Sequence, residues 1–258
     1  MATTRSLPVR AFLRAAALLG SLFSLASCRL YDPPRYSRLQ FPPDAPATRV
    51  LMIGNSLTYY NDLPGLLQQF SAREATPIYI ESITTPFASL QFHWNLGVAP
   101  ARIRDKHWDY VILQDFSRRP VTDPQNSLND FTRFADLAHA NGAKVIIFEN
   151  WPREGHDSDA AALAQSYQNI LAKTAGIPAP IGDAFEHCHT TRPDIALLLD
   201  DRHPSDAATY LAAAVLYDTI YQKKSAALPM DLQGPKLPPS QKEALRAFAD
   251  QARPPGRP

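Results

Sequence analysis

The chain has little cysteine and no large excess of charge of either sign. Only two of its 258 residues are cysteines, Cys28 and Cys188, which excludes a framework of several disulfides. The formal net charge is +1, and the chain from residue 28 onward carries 23 basic and 25 acidic residues, because Arg5, Arg10 and Arg14 are the only charges before it. Because the positive and negative charges are nearly equal in number, the sequence gives no electrostatic basis for binding nucleic acid.

The N-terminus has the order of features of a secretory signal. Three arginines precede the uncharged run Ala15–Ser27, which is too short to span a bilayer and ends in small residues. Its end, "LASC" (residues 25–28), resembles the lipobox of bacterial lipoproteins, whose cysteine is acylated and becomes the first mature residue. The resemblance implies a signal peptide over 1–27 and a membrane anchor at Cys28. The alternative is an ordinary secreted protein, in which Cys28 could pair with Cys188.

Proline-rich segments flank the part of the chain that reads as a folded domain. Residues 28–48 contain five prolines, so we expect an extended, semi-rigid tether there. Residues 224–258 are again rich in proline, with room for one short helix, which leaves 49–223 as the domain. The residue after Cys28 is arginine and not the aspartate that resembles an inner-membrane retention signal. We therefore expect a lipid-anchored protein of the bacterial cell envelope, on the outer membrane, facing the periplasm or the surface.

Within 49–223, apolar strand-like segments alternate with helix-like ones. The strand segments are "RVLMIG", "IYIESI", "DYVILQ", "KVIIFEN" and "APIGDAF", and helices are predicted over Leu63–Arg73, Ser89–Arg104, Leu128–Asn141, Ala160–Thr174 and Asp206–Gln222. The strand segments are continuous apolar runs, a pattern typical of strands that are buried on both faces. The sequence therefore predicts an α/β fold, a three-layer α/β/α sandwich with a parallel sheet of about five strands.

A serine, an acid and a histidine stand where such a sheet gathers its functional groups, at the carboxyl ends of the strands. Ser56 follows the first strand, and Asp200 and His203 stand three residues apart before the last helix. A histidine that takes the proton of a serine hydroxyl makes it a nucleophile, and a carboxylate orients that histidine. Two alternatives remain open: Asp201 could replace Asp200, and Ser56 could be only a helix N-cap.

These residues lie in motifs that resemble those of a known superfamily. Gly54-Asn55-Ser56-Leu57 is similar to the first conserved block of the SGNH (GDSL-type) hydrolases, and Asp200-x-x-His203 is similar to their fifth block. The resemblance implies a flavodoxin-like sheet and an esterase, lipase or carbohydrate deacetylase with a Ser-His-Asp triad. It implies that Ser56 is the nucleophile, His203 the general base and then acid, and Asp200 its orienting partner.

Two middle blocks depart from the superfamily pattern. In SGNH enzymes a glycine N–H of the second block and an asparagine side chain of the third complete the oxyanion hole. Here Ala88 in "TTPFASL" and Gln114 in "LQDFS" stand in those places. The resemblance thus implies an oxyanion hole formed by the N–H groups of Ser56 and Ala88 and by the Gln114 amide, although alanine adopts positive φ less readily than glycine. The combination resembles a little-characterised bacterial branch of the superfamily.

Asn55 and Trp151 are the candidates for substrate contact. Trp151, in "FENWPREGH", stands at a strand end, where its ring could stack on a sugar or serve only the core. With an envelope location, this favours a serine esterase that removes short acyl groups, such as O-acetyl, from carbohydrate. The alternatives are a non-catalytic carbohydrate-binding lipoprotein and an acyltransferase that uses the same three residues.

The sequence favours no metal site, and the expected chemistry needs no cofactor. His187, Cys188 and His189 lie together in "FEHCHT", but no second Cys/His pair exists to complete a four-ligand zinc site. We therefore expect Cys188 to be an ordinary partly buried cysteine in a loop. The sequence predicts no protein partner.

Overall fold

Five parallel strands form one sheet in the order β2-β1-β3-β4-β5. The computed structural model describes residues 35–42 and 45–254, so the predicted signal peptide and Cys28 lie outside the described residues. The strands are β1 Thr48–Gly54, β2 Ile78–Thr84, β3 Tyr110–Leu113, β4 Lys144–Phe148 and β5 Ile177–Ala179.

Helices connect the strands and cover both faces of the sheet. They are α1 Ser56–Tyr59, α2 Leu63–Phe70, α3 Leu90–Leu96, α4 Val98–Asp105, α5 Arg119–Thr122, α6 Pro124–Ala140, α7 Asp159–Thr174, α8 Ile181–Thr191, α9 Asp206–Tyr221 and α10 Pro239–Gln251, with short 3-10 turns at Tyr60–Asp62 and Ser225–Ala227. Within the described ranges, no helix combines the length and the apolar character needed to cross a membrane.

Successive residues of β1 enter opposite cores, because side chains alternate across a strand. Val50 and Met52 pack with α2, α8, α9 and α10 on one face, while Leu51 and Ile53 pack with α3, α4, α6 and α7 on the other. All four side chains are at most 1% exposed. Burial on both faces explains why the strands are continuous apolar runs, and it confirms the predicted three-layer α/β/α sandwich.

The predicted fifth strand, residues 179–185, is misplaced. The observed strand β5 is Ile177–Ala179, and the following residues form α8. Pro180 stands between the two elements and has no N–H to continue the ladder, so the strand ends there and the helix begins at once.

The first described segment packs against the domain and does not extend away as a tether. Asp62, whose φ is 57°, caps α2 by accepting the Gly65 N–H at 3.2 Å. The same carboxylate accepts two guanidinium hydrogen bonds from Arg38 at 2.6 and 2.8 Å and the Tyr36 N–H at 3.1 Å. The buried Asp62 carboxylate therefore holds Tyr36 and Arg38 against the domain, and the Tyr36 side chain is itself buried.

The C-terminal helix α10 is part of the same core. Its Leu245 and Phe248 belong to the apolar cluster that covers one face of the sheet. Arg246 is 2% exposed, and its Nε donates to the Tyr210 hydroxyl at 2.7 Å. Because an arginine is rarely buried without partners, this contact indicates that residues beyond 224 are built into the fold.

Gly54 is the position at which the end of β1 tolerates no side chain. A Cβ there would lie 2.3 Å from Thr58 Oγ1 and 2.6 Å from Gln114 Oε1. We expect Gly54→Ala to lower the free energy of unfolding by about 1–3 kcal/mol, as overpacking of a buried site does, in urea denaturation. Gly234→Ala is the matched control, because its Cβ meets nothing closer than 3.4 Å. Equal stability of the two variants would contradict the steric argument.

Candidate active site

Asn55, and not Ser56, caps the helix that follows β1. The Asn55 side chain accepts the Leu57 N–H at 3.1 Å, and its backbone carbonyl accepts the Thr58 N–H at 3.0 Å. The alternative in which Ser56 is only an N-cap is therefore wrong. Capping by its neighbour leaves the Ser56 hydroxyl available to another partner.

That partner is His203, which lies between Ser56 and Asp200. Its Nε2 is 3.1 Å from Ser56 Oγ, and its Nδ1 is 2.6 Å from Asp200 Oδ2. The other carboxylate oxygen, Oδ1, accepts the backbone N–H groups of His203 at 2.8 Å and Arg202 at 2.9 Å. Burial alone would raise the pKa of the Asp200 carboxyl. The hydrogen bonds from His203 and Arg202 outweigh that effect and lower the pKa to about 2. Asp200 is therefore ionised at neutral pH.

Three side chains hold the loop that carries His203. The Tyr60 ring stacks on the imidazole, with centroids 4.3 Å apart and planes 5° from parallel. Trp151 Nε1 donates to the Arg202 carbonyl at 3.1 Å, and Asn61 Nδ2 donates to the Pro204 carbonyl at 2.8 Å. These contacts restrict both the position of the loop and the orientation of the ring.

Asp201 faces away from the imidazole. Its carboxylate lies 3.4 Å from a guanidinium nitrogen of Arg202 and 3.7 Å from one of Arg153. Since it makes no hydrogen bond to His203 in the described structure, the geometry favours Asp200 over Asp201 as the partner of the imidazole.

The two predicted oxyanion donors besides Ser56 are engaged within the protein. The Ala88 N–H donates to the Thr85 carbonyl at 3.2 Å. The Gln114 amide is 1% exposed: its Oε1 accepts the Asn55 N–H at 2.9 Å, and its Nε2 donates to the Asp115 carbonyl and to Asn150 Oδ1. In this conformation Gln114 joins strand ends, and its role as an oxyanion donor stays a prediction. The Ser56 N–H lies in the first turn of α1, where N–H groups have no intrahelical acceptor.

The predicted substrate contacts, Asn55 and Trp151, are both buried. Asn55 is 2% exposed, and its Nδ2 donates to the Ala88 carbonyl at 2.9 Å. Trp151 is also 2% exposed, with its ring stacked on Phe185 at a centroid distance of 5.2 Å. A ring this covered presents no face to a sugar, so the platform interpretation of Trp151 is wrong. Both residues therefore support the site through buried contacts.

Phe87 is the exposed aromatic residue that sequence reasoning missed. It is 61% exposed, directly precedes Ala88, and has a φ of 60°, an uncommon value for a bulky residue. The Arg202 guanidinium lies 5.9 Å from its ring centroid, which places Phe87 beside the His203 loop. Leu199, next to Asp200, is equally exposed. The position of Phe87 after a strand end could have marked it as a candidate, but whether its side chain is exposed depends on the tertiary structure.

His93 supports the end of β1. Its ring is 1% exposed, and Nε2 lies 2.8 Å from the Gly54 carbonyl, to which it donates. Burial lowers the pKa of His93, so the ring is neutral at neutral pH. His93 therefore packs beneath the strand end and is not exposed to substrate.

Cys188 lies in α8 and not in a loop. It is fully buried, and burial raises the pKa of its thiol to about 11. The neighbouring His187 and His189 are exposed. Across residues 35–42 and 45–254, no group of three or more His, Cys, Asp or Glu side chains is arranged to hold a metal ion.

Solved structures share this fold. A protein described as an SGNH hydrolase from Slackia heliotrinireducens is 26% identical, with a TM-score of 0.61, and the match covers 67% of this chain and 99% of that one. A DUF4886 family protein from Bacteroides uniformis is 14% identical, with a TM-score of 0.69 and coverage of 80% and 94%. A Geobacillus acetyl-xylooligosaccharide esterase is 16% identical, with a TM-score of 0.52 and coverage of 69% and 95%.

No family model and no curated protein matches the chain. The structural matches also include an esterase from Pseudoalteromonas and a protein described as a GDSL-like lipase from Parabacteroides merdae. The chain thus has the fold of the SGNH (GDSL-type) hydrolases.

Proposed function

We propose that this protein is a serine esterase that removes short acyl groups, such as O-acetyl, from carbohydrate, with Ser56, His203 and Asp200 as its catalytic triad. One observation carries the proposal: His203 contacts Ser56 Oγ with Nε2 at 3.1 Å and Asp200 with Nδ1 at 2.6 Å. Because Asp200 is an anion, it accepts a hydrogen bond from the Nδ1–H group of His203. The lone pair on Nε2 then faces the Ser56 hydroxyl.

The reaction follows from that geometry. His203 Nε2 takes the hydroxyl proton as Ser56 Oγ bonds to the ester carbon, and the carbonyl oxygen becomes an oxyanion. The oxyanion collapses, the bond to the alcohol breaks, and His203 returns the proton to the leaving alkoxide. Water then attacks the acyl-serine, with His203 again taking and returning a proton, and the carboxylic acid leaves. The Ser56 N–H supplies one oxyanion donor.

Two observations support a carbohydrate substrate. One structural neighbour is an acetyl-xylooligosaccharide esterase. In addition, the exposed Phe87 ring beside the His203 loop offers the stacking surface that Trp151 does not. Backbone strain such as the positive φ of Phe87 concentrates at functional sites.

A second candidate is a non-catalytic carbohydrate-binding protein. Hydrogen bonds within the protein already engage the Ala88 N–H and the Gln114 amide, so the Ser56 N–H remains as the oxyanion donor. An oxyanion hole with one donor stabilises an oxyanion weakly, which favours this second candidate. An acyltransferase would use the same triad with a sugar hydroxyl in place of water.

We further propose that Cys28 is acylated and holds the protein in the bacterial envelope, on the basis of "LASC" at residues 25–28. An anchored esterase would act on acylated polysaccharide near the membrane.

The two neighbouring carboxylates allow a matched test of the triad. We expect Asp200→Asn to lower kcat by about 10⁴-fold, because the imidazole loses its orienting anion. Labelling of Ser56 by a fluorophosphonate should slow in parallel. Asp201→Asn is the control, since Asp201 contacts Arg202 and not His203, and it should change neither measurement much. A larger effect of Asp201→Asn would assign the role to Asp201. A folded wild-type protein that binds glycan and resists labelling would favour the binding protein.

Phe87→Ala tests the stacking surface. We expect it to raise KM for an acetylated xylo-oligosaccharide with kcat nearly unchanged, and to leave hydrolysis of nitrophenyl acetate as it was, because the small ester has no ring to stack. Phe92→Ala is the control, since Phe92 is also an exposed aromatic residue but lies on α3. If KM for the oligosaccharide is the same in all three proteins, Phe87 does not bind sugar.

Cys28→Ser tests the anchor in bacterial cells. We expect the variant to move from the membrane pellet to the soluble fraction, because the acyl chains that hold the protein are lost. Cys188→Ala should stay with the membrane, since Cys188 is buried in the fold. Retention of both variants in the pellet would overturn the proposal.

A further inference from the structure

A cavity of about 350 Å³ lies at the β5 edge of the sheet, between α7 and α8. Alanines of α7, at positions 160, 161 and 164, form one wall, and their small side chains leave the space open. The volume is in the range of small-molecule sites. None of the three proposed triad residues lines it, so the cavity is separate from the candidate active site.

Glu149 lines this cavity, and its carboxyl group carries an unpartnered oxygen. The residue directly follows β4, is 6% exposed, and its Oε2 has no hydrogen-bond partner among the described residues. The backbone N–H groups of Gly182 and Asp183, in the first turn of α8, face the carboxyl group. Gly182 permits this approach, because a Cβ there would lie 3.0 Å from Glu149 Cγ. A buried carboxyl group with an unpaired oxygen is costly, and a ligand that pairs with the group would lower the cost.

The charges that face the cavity are mostly negative. Asp183 and Glu186 of α8 are the acidic residues that line it besides Glu149, and Arg253 is the single cation among the described lining residues. The α7 wall contributes only apolar side chains. Burial raises the pKa of Glu149 to about 8; the Asp183 N–H opposes this shift and the Asp183 charge adds to it. Without a ligand the Glu149 carboxyl is therefore mostly protonated at neutral pH.

We propose that this cavity binds a small primary alkylammonium ion. The ammonium group donates to the Glu149 carboxylate, and the carbon chain lies against the alanines of α7. As the ion pair forms, Glu149 gives up its proton to the solvent, so that each ammonium bound near neutral pH releases up to one proton.

Isothermal titration calorimetry with n-butylammonium chloride at pH 7 tests this. Titrations in phosphate and in MOPS, whose ionisation enthalpies differ, give the number of protons released. We expect saturable binding with release approaching one proton, and no comparable binding of the neutral analogue n-butanol. Glu149→Gln should weaken binding at least about tenfold, as loss of a charged hydrogen bond does, and should abolish proton release. Glu243→Gln, an exposed carboxylate on α10, is the control and should keep both.

Ala164→Leu provides a second test that keeps the carboxyl group. The larger side chain should fill the cavity beside α7 and abolish binding, while the thermal unfolding transition stays unchanged. This variant also tests the proposal if Glu149→Gln does not fold. Absence of saturable binding to the wild type, equal affinity for butanol, or proton release that persists in Glu149→Gln would each overturn the proposal.

Discussion

The site depends on a buried hydrogen-bond network that joins the carboxyl ends of the strands. Gln114, after β3, accepts the Asn55 N–H at 2.9 Å and donates to Asn150, after β4, at 3.2 Å. Asn55, after β1, donates to the Ala88 carbonyl at 2.9 Å. These residues are at most 4% exposed, so water could not replace a broken hydrogen bond and a buried polar atom would be left without a partner. The network therefore determines where the turn with Ser56 leaves the sheet.

The histidine is positioned by a different set of contacts. His203 comes from a loop 147 positions further along the chain. Stacking on Tyr60, the Trp151 hydrogen bond to the Arg202 carbonyl and the Asp200 hydrogen bonds orient the ring. Since Tyr60 follows Ser56 closely in sequence, the segment that carries the hydroxyl also provides a face of the imidazole pocket.

Two carboxyl groups near the same end of the sheet have opposite protonation. Asp200 receives several N–H donors and is partly exposed, and its pKa is lowered to about 2. Glu149 is buried, lies near Asp183, and has its pKa raised to about 8. Donor number and solvation, not residue type, decide which group is an anion at neutral pH. The first suits the orientation of an imidazolium.

The sequence alone determined the layered architecture and the residue types at the strand ends. Apolar runs buried on both faces have a distinctive composition, and the Asp200-x-x-His203 spacing is short enough to predict a local contact. It did not determine which of the polar residues face the substrate. Asn55, Gln114 and Trp151 were expected at the surface of the site and lie beneath it, while Phe87 is exposed. Those outcomes depend on hydrogen bonds and stacking between segments distant in sequence, which only the packed tertiary structure brings together.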